Sequence, residues 1–188
     1  MKIILSVISF LMITPFLFCQ EKNIIKDDFQ KNEIGIDVAN ILTFLSKKNE
    51  SYLVNYKRHL SINHTIRAGL NLDWSTEKDQ NKSIGTRVGY EYDCPLKDNM
   101  WKLHSGVDFS FYYYGSNYQP NTQTRYGLTP LIGFSYYPVR RFSISTEVGL
   151  NIFYTQFRNP DSFDADANTN SFDFNIGSVG MLILYYHF

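Results

Sequence analysis

Cysteine is nearly missing from this chain of 188 residues: Cys19 and Cys94 are the only two. Cys19 falls in a stretch expected to be removed, so one thiol remains and no disulfide framework is possible. Long apolar runs are missing beyond the first twenty residues, which excludes a bundle of membrane-crossing helices. No helical segment stands between any two of the strands read below. Charge is scarce, 19% against roughly 25% in ordinary soluble domains. It is also balanced, with 18 basic and 18 acidic residues, so no basic surface suggests nucleic acid. No Cys/His cluster has metal-ligand spacing. Without a helix there is no glycine-rich loop to cradle phosphate. Neither a metal nor a cofactor is expected.

What is abundant is aromatic: Tyr and Phe carry most of a 16% share. At the N-terminus Lys2 precedes an apolar stretch, residues 3–18, broken by Ser6, Ser9, Thr14 and Pro15. Its shape is that of a secretory signal peptide. Phe18 before Cys19 is bulky where lipoprotein signals want a small residue, which argues against lipidation. The expected organisation is a signal peptide over 1–20, a polar lead-in over 21–32 and one domain over 33–188.

That domain alternates apolar and polar residues with a period of two, the signature of strands. Ile34 and Ile36 alternate with Gly35 and Asp37, and Val54 and Tyr56 with Asn55 and Lys57. In the third strand Ile66, Ala68, Leu70, Leu72 and Trp74 oppose Thr65, Arg67, Gly69, Asn71 and Asp73. Four more follow around Val88, Phe109, Ile132 and Val148, with a turn expected from Cys94-Pro95 onward. The last, residues 172–188, is read as one continuous strand. Eight strands of about ten residues match tilted membrane-crossing strands. The connections after strands two, four and six are short, and the others are longer and polar. Short periplasmic turns and long outer loops are the habit of outer-membrane barrels. The fold class expected is therefore all-β: an eight-stranded antiparallel transmembrane β-barrel, an up-and-down meander following the signal peptide.

Alternation alone does not say which face points out. A soluble lipocalin-like barrel also alternates, with its apolar face inward. Three features favour apolar outward. Trp74, Tyr90, Tyr92, Trp101, Tyr113, Tyr136, Tyr154, Tyr186 and Phe188 gather near strand ends, as interface girdles do. Glycines crowd the polar face, as a narrow interior requires. That face also carries charges of both signs, Arg67, Arg87, Glu91, Asp108 and Glu147, which can neutralise one another as a plug. Alignments chosen to oppose those charges place Arg87 against Asp108, Arg67 against Glu91 and Gly89 against Gly106.

A final strand ending in Tyr186-x-Phe188 resembles the C-terminal strand of bacterial outer-membrane β-barrels, which their insertion machinery recognises. Where that family often has a glycine five residues before the end, this chain has Ile183. The whole layout resembles the eight-stranded barrels related to OmpA, and more closely the small outer-membrane β-barrel proteins of Bacteroidota. The resemblance implies residence in the outer membrane, contact with its lipid and with the insertion machinery, and no particular activity. Some barrels of this kind are lipid A deacylases with a His-x-Ser pair. His59-Leu60-Ser61 has that spacing, but it falls in a short turn on the periplasmic side. His104 and Ser105 are adjacent and face opposite ways. His64 and His187 sit at strand ends, where an interfacial polar residue needs no further role. No catalytic set is expected; the leading reading is a structural or surface-interaction barrel. The alternatives are a lipid-modifying enzyme of the same fold and a soluble ligand-binding barrel.

Overall fold

The computed structural model describes residues 30–38, 54–73, 81–96, 100–116, 122–158, 169–176 and 181–188. The expectations for residues 1–20, for most of the lead-in and for Trp74 lie outside the described residues. The described elements are strands: β1 Asn32–Asp37, β2 Val54–His59, β3 His64–Asp73, β4 Asn81–Pro95, β5 Trp101–Ser116, β6 Thr122–Val139, β7 Phe142–Arg158, β8 Asn170–Ile176 and β9 Met181–His187. From β1 to β7 each pairs antiparallel with the next. β7 then pairs with β9 along its first half and with β8 along its second, and β9 pairs back onto β1. β8 and β9 are two halves of one eighth strand, and the sheet is a closed up-and-down barrel.

The short turns lie at one end, together with Asn32 and Phe188. Backbone hydrogen bonds join neighbours around this rim: His59 N to Lys31 O, Asp93 N to Asn63 O, Tyr137 N to Met100 O and His187 N to Arg141 O. Asn32 and Phe188 exchange a reciprocal pair, at 3.1 and 2.9 Å, across the closing seam.

Polar side chains point inward and apolar ones outward. Lys57, Arg67, Arg87, Glu91, Asp108 and Glu147 are all buried, while Ile34, Leu70, Val88, Phe109, Leu128 and Leu184 are exposed on the outer wall. Aromatic residues bracket that wall. Near the short turns Trp101 packs on Tyr136 at 4.5 Å, and Tyr186 lies between Phe142 and Phe188. Towards the other end Phe111, Tyr126, Tyr154 and Phe172 are successive cross-strand neighbours. Ten residues separate Tyr126 from Tyr136 on β6. That is about 33 Å of strand, or roughly 25 Å of height at a tilt of about 40°, the apolar band of an outer-membrane barrel.

Four expectations need correction. β4 to β7 run 15, 16, 18 and 17 residues, well beyond ten, because their hairpins stay hydrogen-bonded after the outward residues turn polar at Thr122 and Thr124. Cys94 is no turn residue: it lies in β4 opposite Leu103 and is buried. The eighth strand is not continuous. Between the pairs Leu150–Ile176 and Glu147–Met181, β7 has two residues and its partner has four. The excess is even, so Phe172, Phe174 and Ile176 still share the outer face with Leu182, Leu184 and Tyr186.

The fourth correction is the register. Arg87 faces Ser110 rather than Asp108, Arg67 faces Gly89 rather than Glu91, and Glu91 rather than Gly89 faces Gly106. Both seams slip by two residues, and the reason is space. Two large side chains do not fit side by side in a narrow barrel, so each large lumen group lies beside glycine. Gly89 separates Arg67 from Asp108, Gly133 separates His104 from Glu147, and Gly127 lies beside Phe153. A Cβ on Gly89 would collide with the Asp108 carboxylate, and one on Gly127 with the Phe153 ring.

Candidate functional site

The lumen is the one place where chemistry-bearing side chains converge among the described residues. Its middle is organised by two cations from neighbouring strands. Arg67 on β3 reaches Glu91 at 2.7 Å, Asp108 at 3.2 Å and, across the lumen on β7, Glu147 at 2.6 Å. Lys57 on β2 donates to both Glu91 oxygens at 2.7 and 2.9 Å and lies 3.8 Å from Glu147. Its ammonium also sits over the Tyr185 ring at 4.9 Å. Arg87 on β4 pairs with Asp108 at 3.0 Å and donates to Asn55. The arrangement follows from the pleat: alternate residues point inward, long Arg and Lys stems span the narrow interior, and charges meet diagonally rather than across one rung.

The rim end holds a second cluster. His59 bonds Glu33 through Nε2, and its Nδ1 lies 2.7 Å from Thr65 Oγ1. Thr65 donates to Asp93 at 2.8 Å. His187 sits 3.2 Å from Glu33 through Nδ1 and 2.8 Å from Ser143 Oγ through Nε2. His104 lies 3.2 Å from Ser135 Oγ and 3.5 Å from Glu147. The opposite end is aromatic: Tyr112 meets Phe153 edge-on at 6.0 Å, Tyr114 stacks on Tyr112, and the Arg125 guanidinium caps Phe153 at 3.8 Å.

All five charges singled out in the sequence, Arg67, Arg87, Glu91, Asp108 and Glu147, belong to this one network. Lys57 and Asn55 were assigned to the inner face but not to the network. Glu33 went unlisted although it shares parity with Gly35 and Asp37. His187 was read as interfacial, yet it is buried, bridging Glu33 and Ser143; counting in twos from Tyr185 would have placed it inside. His64 does lie outside, against Tyr90 and Tyr92. Of the girdle set, Tyr90, Trp101, Tyr113, Tyr154, Tyr186 and Phe188 are exposed, and Tyr92 and Tyr136 are half-buried on the same outer face.

Ser143, His187 and Glu33 form a hydroxyl–imidazole–carboxylate chain, the order of a hydrolase triad. The hydroxyl is only 1% exposed, so a substrate has no approach to it. His59 and Ser61 do not come together: the ring points into the lumen at Glu33, and Ser61 is exposed in the turn. Glu91, Asp93 and His104 bring ligand-type atoms within 4.8 Å of one another. Both Glu91 oxygens already hold the Lys57 ammonium, and Asp93 holds Thr65, so fixed protein donors fill the place of a metal. No family model, curated protein or solved structure matches the chain.

Proposed function

We propose that this chain is an integral outer-membrane β-barrel with a plugged polar lumen, which presents its longer connections outside the cell in a structural or surface-interaction role. The observation that carries the reading is the inverted partition: ions buried inside, an apolar wall outside, and aromatic residues at both margins of a band roughly 25 Å high. A soluble ligand-binding barrel stores apolar side chains within and polar ones on its wall. The leader over residues 1–20 would direct export, and the strand ending at Phe188 would engage the insertion machinery. Outer-membrane lipid is the expected surrounding. The packed lumen speaks against a diffusion pore, and the buried Ser143 hydroxyl speaks against hydrolysis there.

Membrane fractionation tests the reading. The protein is expected in the outer-membrane pellet, released by detergent and not by high salt or urea. Recovery from the soluble periplasm without detergent would overturn it. Lipid A profiles with and without the protein are expected to be identical; a change in acylation would favour the lipid-modifying alternative.

A further inference from the structure

A neutral imidazole has one N–H and one lone pair, so it donates once and accepts once. His59, the last residue of β2, has both ring nitrogens engaged in the rim cluster. Nε2 meets a Glu33 carboxylate oxygen. Nδ1 lies 2.7 Å from Thr65 Oγ1, with Asp93 Oδ2 behind it at 3.5 Å. Thr65 has a single hydroxyl proton and donates it to Asp93 Oδ2 at 2.8 Å. A carboxylate only accepts. Thr65 Oγ1 therefore has lone pairs left for His59 and no proton, so Nδ1 must donate. Glu33 likewise accepts from Nε2. Both nitrogens donate, and the ring carries two protons. His187 is different: Ser143 can donate to its Nε2 while Nδ1–H serves Glu33, so a neutral ring satisfies it.

We infer that His59 is held as an imidazolium and acts as a proton-dependent clamp on the closing seam of the barrel. The cluster binds β1 through Glu33, β3 through Thr65 and β4 through Asp93. Through Glu33 it reaches His187 on β9, and from there Ser143 on β7. Glu33 is thus the residue by which the first strand holds both its neighbours, β2 and β9. The charged and titratable groups around His59 are Glu33 from β1, Asp93 from β4, Lys102 from β5, His187 beyond Glu33 on β9, and Lys57 on its own strand. Lys57 is committed to Glu91, and the Lys102 ammonium sits over the Tyr137 ring at 4.4 Å. Removing the His59 proton leaves Glu33 and Asp93 facing one ring that can donate only once. One contact is lost, and the β1–β9 seam loosens at the rim. The clamp depends on lumen geometry alone and would operate in a soluble barrel as well.

The test uses the full folded barrel in detergent micelles, labelled with ¹⁵N-histidine and followed by NMR from pH 5 to pH 10. At pH 7.5, where an ordinary histidine is mostly neutral, both His59 nitrogens are expected at imidazolium shifts. As the pH rises and that signal is lost, the amides of Asn32 and Phe188, which bond across the seam, should exchange with solvent at least ten times faster than intrinsic pH dependence allows. His59→Gln should show that fast exchange throughout. Neutral-tautomer shifts for His59 at pH 7.5 would overturn the protonation. An imidazolium whose loss leaves seam exchange unchanged would overturn the clamp. Both readings come from the unaltered chain, so they stand even if His59→Gln does not fold.

Discussion

Arg67 contacts three carboxylates from three other strands, and no other described side chain ties together so much of the wall. A buried ion is costly unless its partners and hydrogen bonds are complete. Removing one member is therefore worse than removing a matched pair. Asp108→Ala strips a carboxylate from Arg87 and from Arg67 at once, at 3.0 and 3.2 Å. The expected loss is about 3–5 kcal/mol of unfolding free energy. Adding Arg87→Ala should return only part of it, because Arg67 Nε still lacks its acceptor. Urea unfolding in detergent checks this; strictly additive losses would show that Arg87 and Asp108 are not coupled. The partnership of Arg87 with Asp108 was legible in the sequence, since both lie on the inner parity of strands joined by a short turn. The reach of Arg67 to Glu147 was not, because contact across the lumen depends on barrel width, which no local pattern encodes.

Along the strands, parity was legible and register was not. Period-two alternation separates Ile66, Ala68 and Leu70 from Thr65 and Arg67 whatever the pairing, and a slip by two residues leaves it untouched. Register is decided by the fit of large groups beside glycines, so the charge-matched alignment missed by two in both seams. This makes some glycines structural and others not. A Cβ on Gly106 would run into the Tyr90 carbonyl and stand 3.1 Å from Glu91 Cα, both backbone of the paired strand. A Cβ on Gly115 would find its nearest neighbour at 3.6 Å, the Tyr113 ring. Gly106→Ala is expected to cost about 1–3 kcal/mol through strain, and Gly115→Ala less than about 0.5 kcal/mol. Equal effects on the urea midpoint would contradict the role of space in setting register. The outer face has its own test. Ile132 opposes Val148 and lies between Tyr126 and Tyr136 on β6, near the middle of the band. Ile132→Arg should cost about 2–4 kcal/mol for folding into bilayers, and an unchanged bilayer folding yield would argue against a lipid-facing wall.

For the whole molecule, closure depends on one seam, where β9 meets β1. The strand number was legible because an even count of alternating segments with alternating loop lengths admits few other architectures. The break between β8 and β9 was not, since residues 172–188 keep one parity throughout and two extra residues leave no trace in a period of two. The seam ends at Phe188, whose backbone exchanges two hydrogen bonds with Asn32 and whose ring stacks on Tyr186 at 6.4 Å. Deleting Phe188 removes both bonds and one outward ring, and it exposes Asn32 at a rim that water already reaches. The net worth of a hydrogen bond is about 0.5–1.5 kcal/mol, so the truncated barrel should still refold in detergent, with its stability lowered by roughly 1–3 kcal/mol on that scale. Assembly in cells should suffer more, if the terminal aromatic strand is what the insertion machinery engages. Pulse-chase labelling read by heat-modifiable gel mobility separates the two effects. The expected result is slow cellular assembly beside near-normal refolding of the purified chain. Normal assembly in cells would remove any special role for the terminal residue. Failure in detergent as well would mean that Phe188 acts by closing the barrel rather than by being recognised.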